Sequence, residues 1–432
     1  MQLIVSIIGI ILLILIAVIF STNRTAIKLR TVIGAFMMQF FIGAFVLYIP
    51  IGRTILEYIS ILTSNIIRYG QVGINFIFGG LVSNKMFELF NGNGFIFALR
   101  VLPIIIFFSS LIAVCYYLGI MQLFIKVFGG CLQKILGTSC TESLSATANI
   151  FFGHTEAPLV VKPYISTMTK SELFAVMCGG LSSVAGSVLA GYAQMGISMK
   201  FLVAASFMAA PGGLLFAKLI VPETEKNNRT FLLKYNEISN FNDQKPANII
   251  DAAASGASSG MQLALNVGAM LLAFVSLIAL INGVLNMIGM WIHIPNLSLE
   301  LILGWFFSPI AYIIGVPWHE ANIAGSFIGQ KLIINEFVAY MNFAEYLKSD
   351  IDVIESGKQV LSYNTKVIIS FALCGFANLA SVAILLGGIG GIAPNRREDI
   401  AKLGLKAVLA GTLSNLMSAA IASLFLTLSK LI

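Results

Sequence analysis

The sequence predicts an all-α integral membrane protein of seven or eight membrane helices, shorter re-entrant pieces and a surface-lying amphipathic helix, arranged as an inverted repeat. Three observations carry that expectation. Of the 432 residues 58% are hydrophobic and 10% charged, against roughly 25% charged in a soluble domain, and the mean hydropathy is +0.92. Uncharged runs long enough for a bilayer-spanning helix of about 20 residues recur along the chain. Two later stretches are interrupted, in similar order, by proline, small residues and isolated carboxylates.

The run Met1–Asn23 lacks a basic leader and a small-residue cleavage site and passes directly into NRTAIKLR (23–30). It is expected to be a retained helix rather than a cleaved signal. Thr31–Gly52 is the second span, and the amphipathic stretch Ile55–Arg68 suits the membrane surface. Val101–Ile125, Leu173–Met199, Ala252–Leu299, Val367–Asn395 and Ala407–Ser429 follow. The run 252–299 holds one surface helix and one long span.

Basic residues cluster in alternate loops: Arg24, Lys28 and Arg30; Lys162 and Lys170; Lys226, Arg229 and Lys234; Arg396, Arg397 and Lys402. The positive-inside rule makes these loops cytoplasmic and puts the N-terminus outside. The net charge of +7 is thus a topology signal and does not point to nucleic acid. The mixed-charge loop 342–364 falls outside. Five cysteines, at 115, 131, 140, 178 and 374, lie in or beside apolar stretches and read as packed free thiols.

The chemistry begins near residue 136. GHTEAPLVVKPY (153–164) precedes CGGLSSVAGSVLAGY (178–192); GVPWHEANIAGS (315–326) and NEFVAY (335–340) precede CGFANLASVAILLGG (374–388). Each is an acid-bearing, proline-interrupted segment followed by a helix broken by small and polar residues. Such pairs point to an inverted-repeat transporter with its site near the midplane, because unwound backbone at that depth must line a cavity or be buried in protein. A carboxylate there costs about 2.5–3.5 kcal/mol on insertion scales, so Glu156 and Glu336 either close a structural network or meet a polyhydroxylated ligand. Asn149, Ser183, Asn378 and Ser381 offer neutral oxygens that suit a hard cation such as sodium or hold helices together.

GQKLIINEFVAY (329–340) resembles the signature of the concentrative nucleoside transporter family: Gly or Ala, any residue, Lys, three residues, then Asn-Glu-Phe-Val-Ala and an aromatic or Met. NIFFG before GHTEAP, then SSVAGSVLAG, PWHEA and FANLAS, resemble family segments in the same order, so the likeness covers nearly the whole chain. It implies a homotrimer whose protomers have eight membrane helices and two re-entrant hairpins, about 138–166 and 300–338. A trimerising scaffold, including Phe97–Tyr117 and roughly Gly260–Met290, would support a moving transport domain. Residues 1–135 would then hold scaffold and interfacial helices. Residues 136–220 would hold the first hairpin and broken-helix repeat. A cytoplasmic loop, an interfacial helix and the long scaffold helix would fill 221–295, and the second hairpin and repeat 296–432.

The resemblance further implies a symporter in the cytoplasmic (inner) membrane that imports nucleosides by an elevator-type movement driven by sodium. Uridine, cytidine, adenosine and other purine nucleosides are the expected substrates, with no cofactor besides the coupling ion. Carried over by position, His154, Thr155 and Glu156 would meet the nucleobase with Val188 beside it. Glu336, Asn378 and Ser381 would hold the ribose, with Phe376 lining the same cavity. Sodium would take the side chains of Asn149 and Ser183 and the carbonyls of Phe152 and Val184; proton-coupled relatives tend to lack this amide and hydroxyl set. His154 departs from the glutamine of many relatives, and an imidazole donates and accepts through two nitrogens at a different reach.

Other classes fit less well. HEANI (319–323) has no second histidine four residues after the first, as a metalloprotease helix requires, and His319 is expected to hydrogen-bond at the second hairpin tip. No enzyme chemistry is expected. A channel would need a pore-lining repeat, which the sequence lacks. A proton-coupled nucleoside symporter, or a proton-driven carrier of another polar metabolite, remains the alternative.

Overall fold

A computed structural model describes residues 2–83, 85–90, 94–225, 246–294 and 296–430. The expected cytoplasmic residues Lys226, Arg229 and Lys234 lie outside the described residues.

The described chain is helical from end to end. The first helices are α1 (Gln2–Ile19), α2 (Leu29–Leu47), the amphipathic α3 (Pro50–Phe78) and the short α4 (Lys85–Leu89) and α5 (Phe97–Arg100). Next come α6 (Leu102–Tyr117), α7 (Ile120–Leu136), α8 (Cys140–Ala148) and α9 (Lys162–Ile165). α10 (Lys170–Ser182) and α11 (Gly186–Gln194) form one interrupted span before α12 (Met199–Ile220). The second half holds α13 (Ile249–Trp291), α14 (Leu299–Ile313), α15 (Trp318–Ile333), α16 (Glu336–Ala344) and α17 (Asp350–Glu355). A second interrupted span, α18 (Tyr363–Leu373) and α19 (Ala380–Ile392), leads into α20 (Arg397–Leu428).

Among the described residues seven helical segments are long and apolar enough to cross a membrane, or eight if α14 and α15, which meet at 114°, count as one. The chain is a multi-pass membrane protein. One of the seven, α12, was not among the expected runs: Lys200, Lys218 and Pro211 break up its apolar pattern. Lys218 is nevertheless buried, paired with Glu142 of α8 and donating to the Ser171 hydroxyl at 2.8 Å. A buried ammonium is tolerable when it is paired in this way.

Local chemistry sets the helix starts. Ser139 with Glu142, and Thr169 with Glu172, form reciprocal capping boxes on α8 and α10, each satisfying two backbone donors that a helix start leaves over. Asn248 caps the long α13 and Ser362 caps α18. Pro317 sits at the N-cap of α15, outside the run where proline breaks helices.

Packing separates two groups. α6 and α13 lie along each other. Gly256 and Gly260 permit this, since a β-carbon on either would fall within 2.9 Å of α6 atoms. α1 and α2 pack on α12 and α20 instead. Within residues 1–135 α2 also packs on α3 and α7, and α6 on α3 and α7.

The same order of elements occurs twice: a helical hairpin, an interrupted helix and a long helix. In the first copy the turn Ala157–Val161 folds back on α8. In the second the chain reverses at 314–317, where α14 and α15 meet at 114° and pack antiparallel with Gly304 against Asn322 and Gly325 against Phe307, and it reverses again between α15 and α16. Asn342 donates to the side-chain oxygen of Gln330 at 2.6 Å, and the Phe327 ring lies 5.5 Å from those of Phe343 and Tyr346. Such contacts require antiparallel helices with the tip at Ile334–Asn335.

Candidate functional site

Each hairpin tip is hydrogen-bonded to the break of the helix that follows it. The Gly186 amide donates to the Phe151 carbonyl at 2.8 Å in the first copy, and the Leu379 amide to the Leu332 carbonyl at 3.1 Å in the second. The two breaks also touch each other, because the Phe376 amide donates to the Ser183 carbonyl at 3.2 Å. Four unwound segments, each with backbone groups free of helical partners, thus converge on one place.

On the second-copy side Asn335 caps α16 with its side chain, accepting from the Val338 amide at 2.9 Å. That puts Glu336 at the first helical position, where the helix dipole favours a carboxylate. Glu336 is 3% exposed. One of its oxygens accepts from the Tyr192 hydroxyl and the other from the Asn378 amide, both at 3.2 Å. The Asn378 oxygen accepts from the Ser381 amide at 2.9 Å, and the Ser381 hydroxyl donates to the Phe376 carbonyl at 2.6 Å. Glu336, Asn378, Ser381 and Phe376 therefore form one connected group. Tyr192 belongs to it too, although in sequence an aromatic residue in an apolar run looks like core.

On the first-copy side His154 meets Phe376 edge-on, with ring centroids 4.8 Å apart, which joins the first hairpin to the second break. Its backbone lies against Gly180 of α10, where a β-carbon would fall 2.7 Å from that of His154. Both ring nitrogens are buried without a hydrogen-bond partner among the described residues. Val188 is buried on α11. Thr155 stands against Gly388 of α19, and Glu156 faces a cavity of about 310 Å³ lined also by Phe152, Ser187, Tyr116, Ser109 and Ser255. Ligand pockets run from roughly 300 to 1,000 Å³. This one is walled by α6 and α13 on one side and the first hairpin and α11 on the other.

Asn149 ends α8, is 1% exposed, and donates from its side-chain nitrogen to the Ser145 carbonyl at 2.8 Å. Its side-chain oxygen has no partner among the described residues. Ser183 ends α10 and donates to the Gly179 carbonyl at 3.0 Å; the Asn149 amide lies against the same glycine. The carbonyls of Phe152 and Val184 accept no backbone hydrogen bond among the described residues. A buried amide oxygen, a hydroxyl and two carbonyls left over form an all-oxygen set that suits a hard cation. His319 lies at the start of α15, just past the α14–α15 turn, with its side chain 72% exposed and 3.6 Å from Glu320, away from the residues gathered at the breaks.

The chain is similar to known proteins along nearly its whole length. Residues 8–81 match a family model described as the N-terminus of Na+ dependent nucleoside transporters, 201–423 the corresponding C-terminus, and 98–199 a nucleoside recognition gate. Nucleoside permease NupC of Helicobacter pylori is 52% identical over 427 residues, covering 98% of both chains. A solved structure of CNTnw in an inward-facing substrate-bound state superposes with a TM-score of 0.93 at 62% identity, covering 99% of each chain. A CNTnw variant in an outward-facing state gives 0.94 at 61% identity, covering 99% of this chain and 100% of the other.

Proposed function

The chain belongs to the concentrative nucleoside transporter family, and from that premise we propose the site and cycle of a sodium-coupled nucleoside importer working by alternating access. The carrying observation is the connected group Glu336–Asn378–Ser381 at the meeting of two helix breaks. A carboxylate accepts from two ribose hydroxyls while Asn and Ser donate or accept as needed. His154, Thr155 and Glu156 take the nucleobase, with Val188 and Phe376 packing on it. The substrates are uridine, cytidine, adenosine and other purine nucleosides.

Sodium occupies the Asn149 and Ser183 side chains with the Phe152 and Val184 carbonyls; no other cofactor and no catalytic step are assigned. The working unit is a homotrimer in the cytoplasmic membrane with its N-terminus outside. In the elevator-type cycle α6 and α13 form the fixed wall. The hairpins, interrupted helices, α12 and α20 move past it, carrying α1 and α2, which pack on them.

Proteoliposomes test the reading: radiolabelled uridine and adenosine uptake is followed with sodium and proton gradients imposed separately. Accumulation should follow sodium, and Asn149→Ala and Ser183→Ala should raise the sodium needed for half-maximal uptake. Uptake that ignores replacement of sodium by choline and follows a pH gradient would make the carrier proton-coupled.

A further inference from the structure

Near the middle of α20, Asn415 is 2% exposed and touches both helix breaks at once. Its side-chain nitrogen donates to the Ser182 carbonyl at 2.6 Å and to the Cys374 carbonyl at 2.9 Å. Those carbonyls stand at the entrances to the first and second breaks, so one carboxamide uses both its protons to bridge them. Its oxygen accepts from the Lys331 ammonium at 2.6 Å, and Lys331 also donates to the Ala372 carbonyl at 2.8 Å. Lys331 fills the lysine position of the signature quoted above, and its hydrogen bonds go to none of the residues proposed to hold nucleoside or sodium. Gly375 leaves room for the joint, since a β-carbon there would lie 2.2 Å from the Asn415 oxygen.

We infer that Asn415 and Lys331 are positioning residues that carry the coupling free energy between cation and nucleoside, without touching either. The inference rests on the sodium and ribose assignments proposed above. A cation held by Ser183 and the Val184 carbonyl fixes the backbone of the first break, and Ser182 is the residue before it. The Asn415 bridge passes that constraint to Cys374, from which the chain runs directly into Phe376 and Asn378. Lys331 anchors the bridge to the second hairpin, whose tip holds Glu336. Every bond in this path is buried, where a hydrogen bond is stronger than in water and an unmade one costly, so one break cannot shift without loading the other. Such a contiguous network with a ligand at each end is the physical content of coupling, and coupling between binding sites is reciprocal.

The test is uridine calorimetry on the purified protein in sodium and in choline. Asn415→Asp keeps an acceptor for Lys331, now as an ion pair, but loses both donors. The expected result is uridine affinity in choline within about twofold of wild type, with the enhancement by sodium reduced about fivefold or more. An unchanged enhancement, or an equal loss of affinity in both media as general damage would give, overturns the inference. Hydrogen exchange on the wild type covers the case in which the variant does not fold. Sodium alone should slow exchange at 374–379 as well as at 183–186, and protection confined to the first break overturns the joint. Asn149→Ala separates the two levels. If it keeps the wild-type response to sodium, the sodium assignment and the joint fall together. If it loses that response while Asn415→Asp keeps it, only the joint falls.

Discussion

The Tyr192 hydroxyl donates to Glu336 across 3.2 Å, tying α11 of the first copy to the hairpin tip of the second. The Tyr192 ring lies 4.4 Å from that of Tyr340 and 4.8 Å from that of Phe337, so its position is set by packing and its hydroxyl is left to aim the carboxylate. Tyr192→Phe keeps the packing and removes the aim. A hydrogen bond to a charged group contributes about 1.5–3 kcal/mol, and uridine affinity should fall about tenfold in calorimetry with the melting temperature of the purified protein nearly unchanged. Wild-type affinity would show that Asn378 alone orients Glu336.

Glu336→Gln and Asn378→Ala should each weaken nucleoside binding in calorimetry while leaving the elution volume in size-exclusion chromatography as in the wild type. Each loses a polar partner of the ribose and part of the buried network; at about 1.5–3 kcal/mol per charged hydrogen bond the loss is roughly 10–150-fold for each. Deoxyuridine should bind the wild type more weakly than uridine. Unchanged uridine affinity for Glu336→Gln would remove the ribose assignment.

Much of this site was legible because its residues are costly where they stand. A glutamate, an asparagine or a histidine in an apolar run needs a partner, and Glu156, Glu336, Asn149 and Asn378 stand out for that reason. Residues that serve the site from ordinary-looking surroundings did not. Tyr192 reads as core, and Asn415 reads as one polar residue in the apolar run 407–429; only the fold shows Tyr192 reaching Glu336 and Asn415 bridging the two breaks. Gly315, at φ +102, and Pro317 do form a turn, at which α14 reverses into α15; less legible was the second reversal, set by the Asn335 cap, which brings Glu336 to the breaks. Hydropathy does not show which neighbours the early helices take, because membrane helices choose them by close packing; α1 and α2 pack on α12 and α20.

Lys218 and Glu142 form a buried ion pair between α12 and the first hairpin. Removing one partner leaves an uncompensated buried charge, which costs about 3–5 kcal/mol. Lys218→Met should lower the melting temperature by several degrees, and Lys218→Met with Glu142→Gln should lose less than the two single changes summed. Additive losses would mean that the two side chains act separately, Lys218 through Ser171 and Glu142 through its capping box.

His154 decides base preference on the reading proposed here. Its ring nitrogens are buried without partners among the described residues while its ring edge rests on Phe376, so donor and acceptor are both free to meet a base. A flat ring offers a fixed surface to either a purine or a pyrimidine, whereas a glutamine amide offers two polar groups on a flexible stem. His154→Gln should therefore shift the uridine-to-adenosine uptake ratio in proteoliposomes toward uridine, with the sodium dependence kept. Glu156→Gln should depress uptake of both. If His154→Gln leaves the ratio alone and changes the sodium dependence, His154 acts through the neighbouring α10, where its backbone packs on Gly180, and belongs to the cation side of the site.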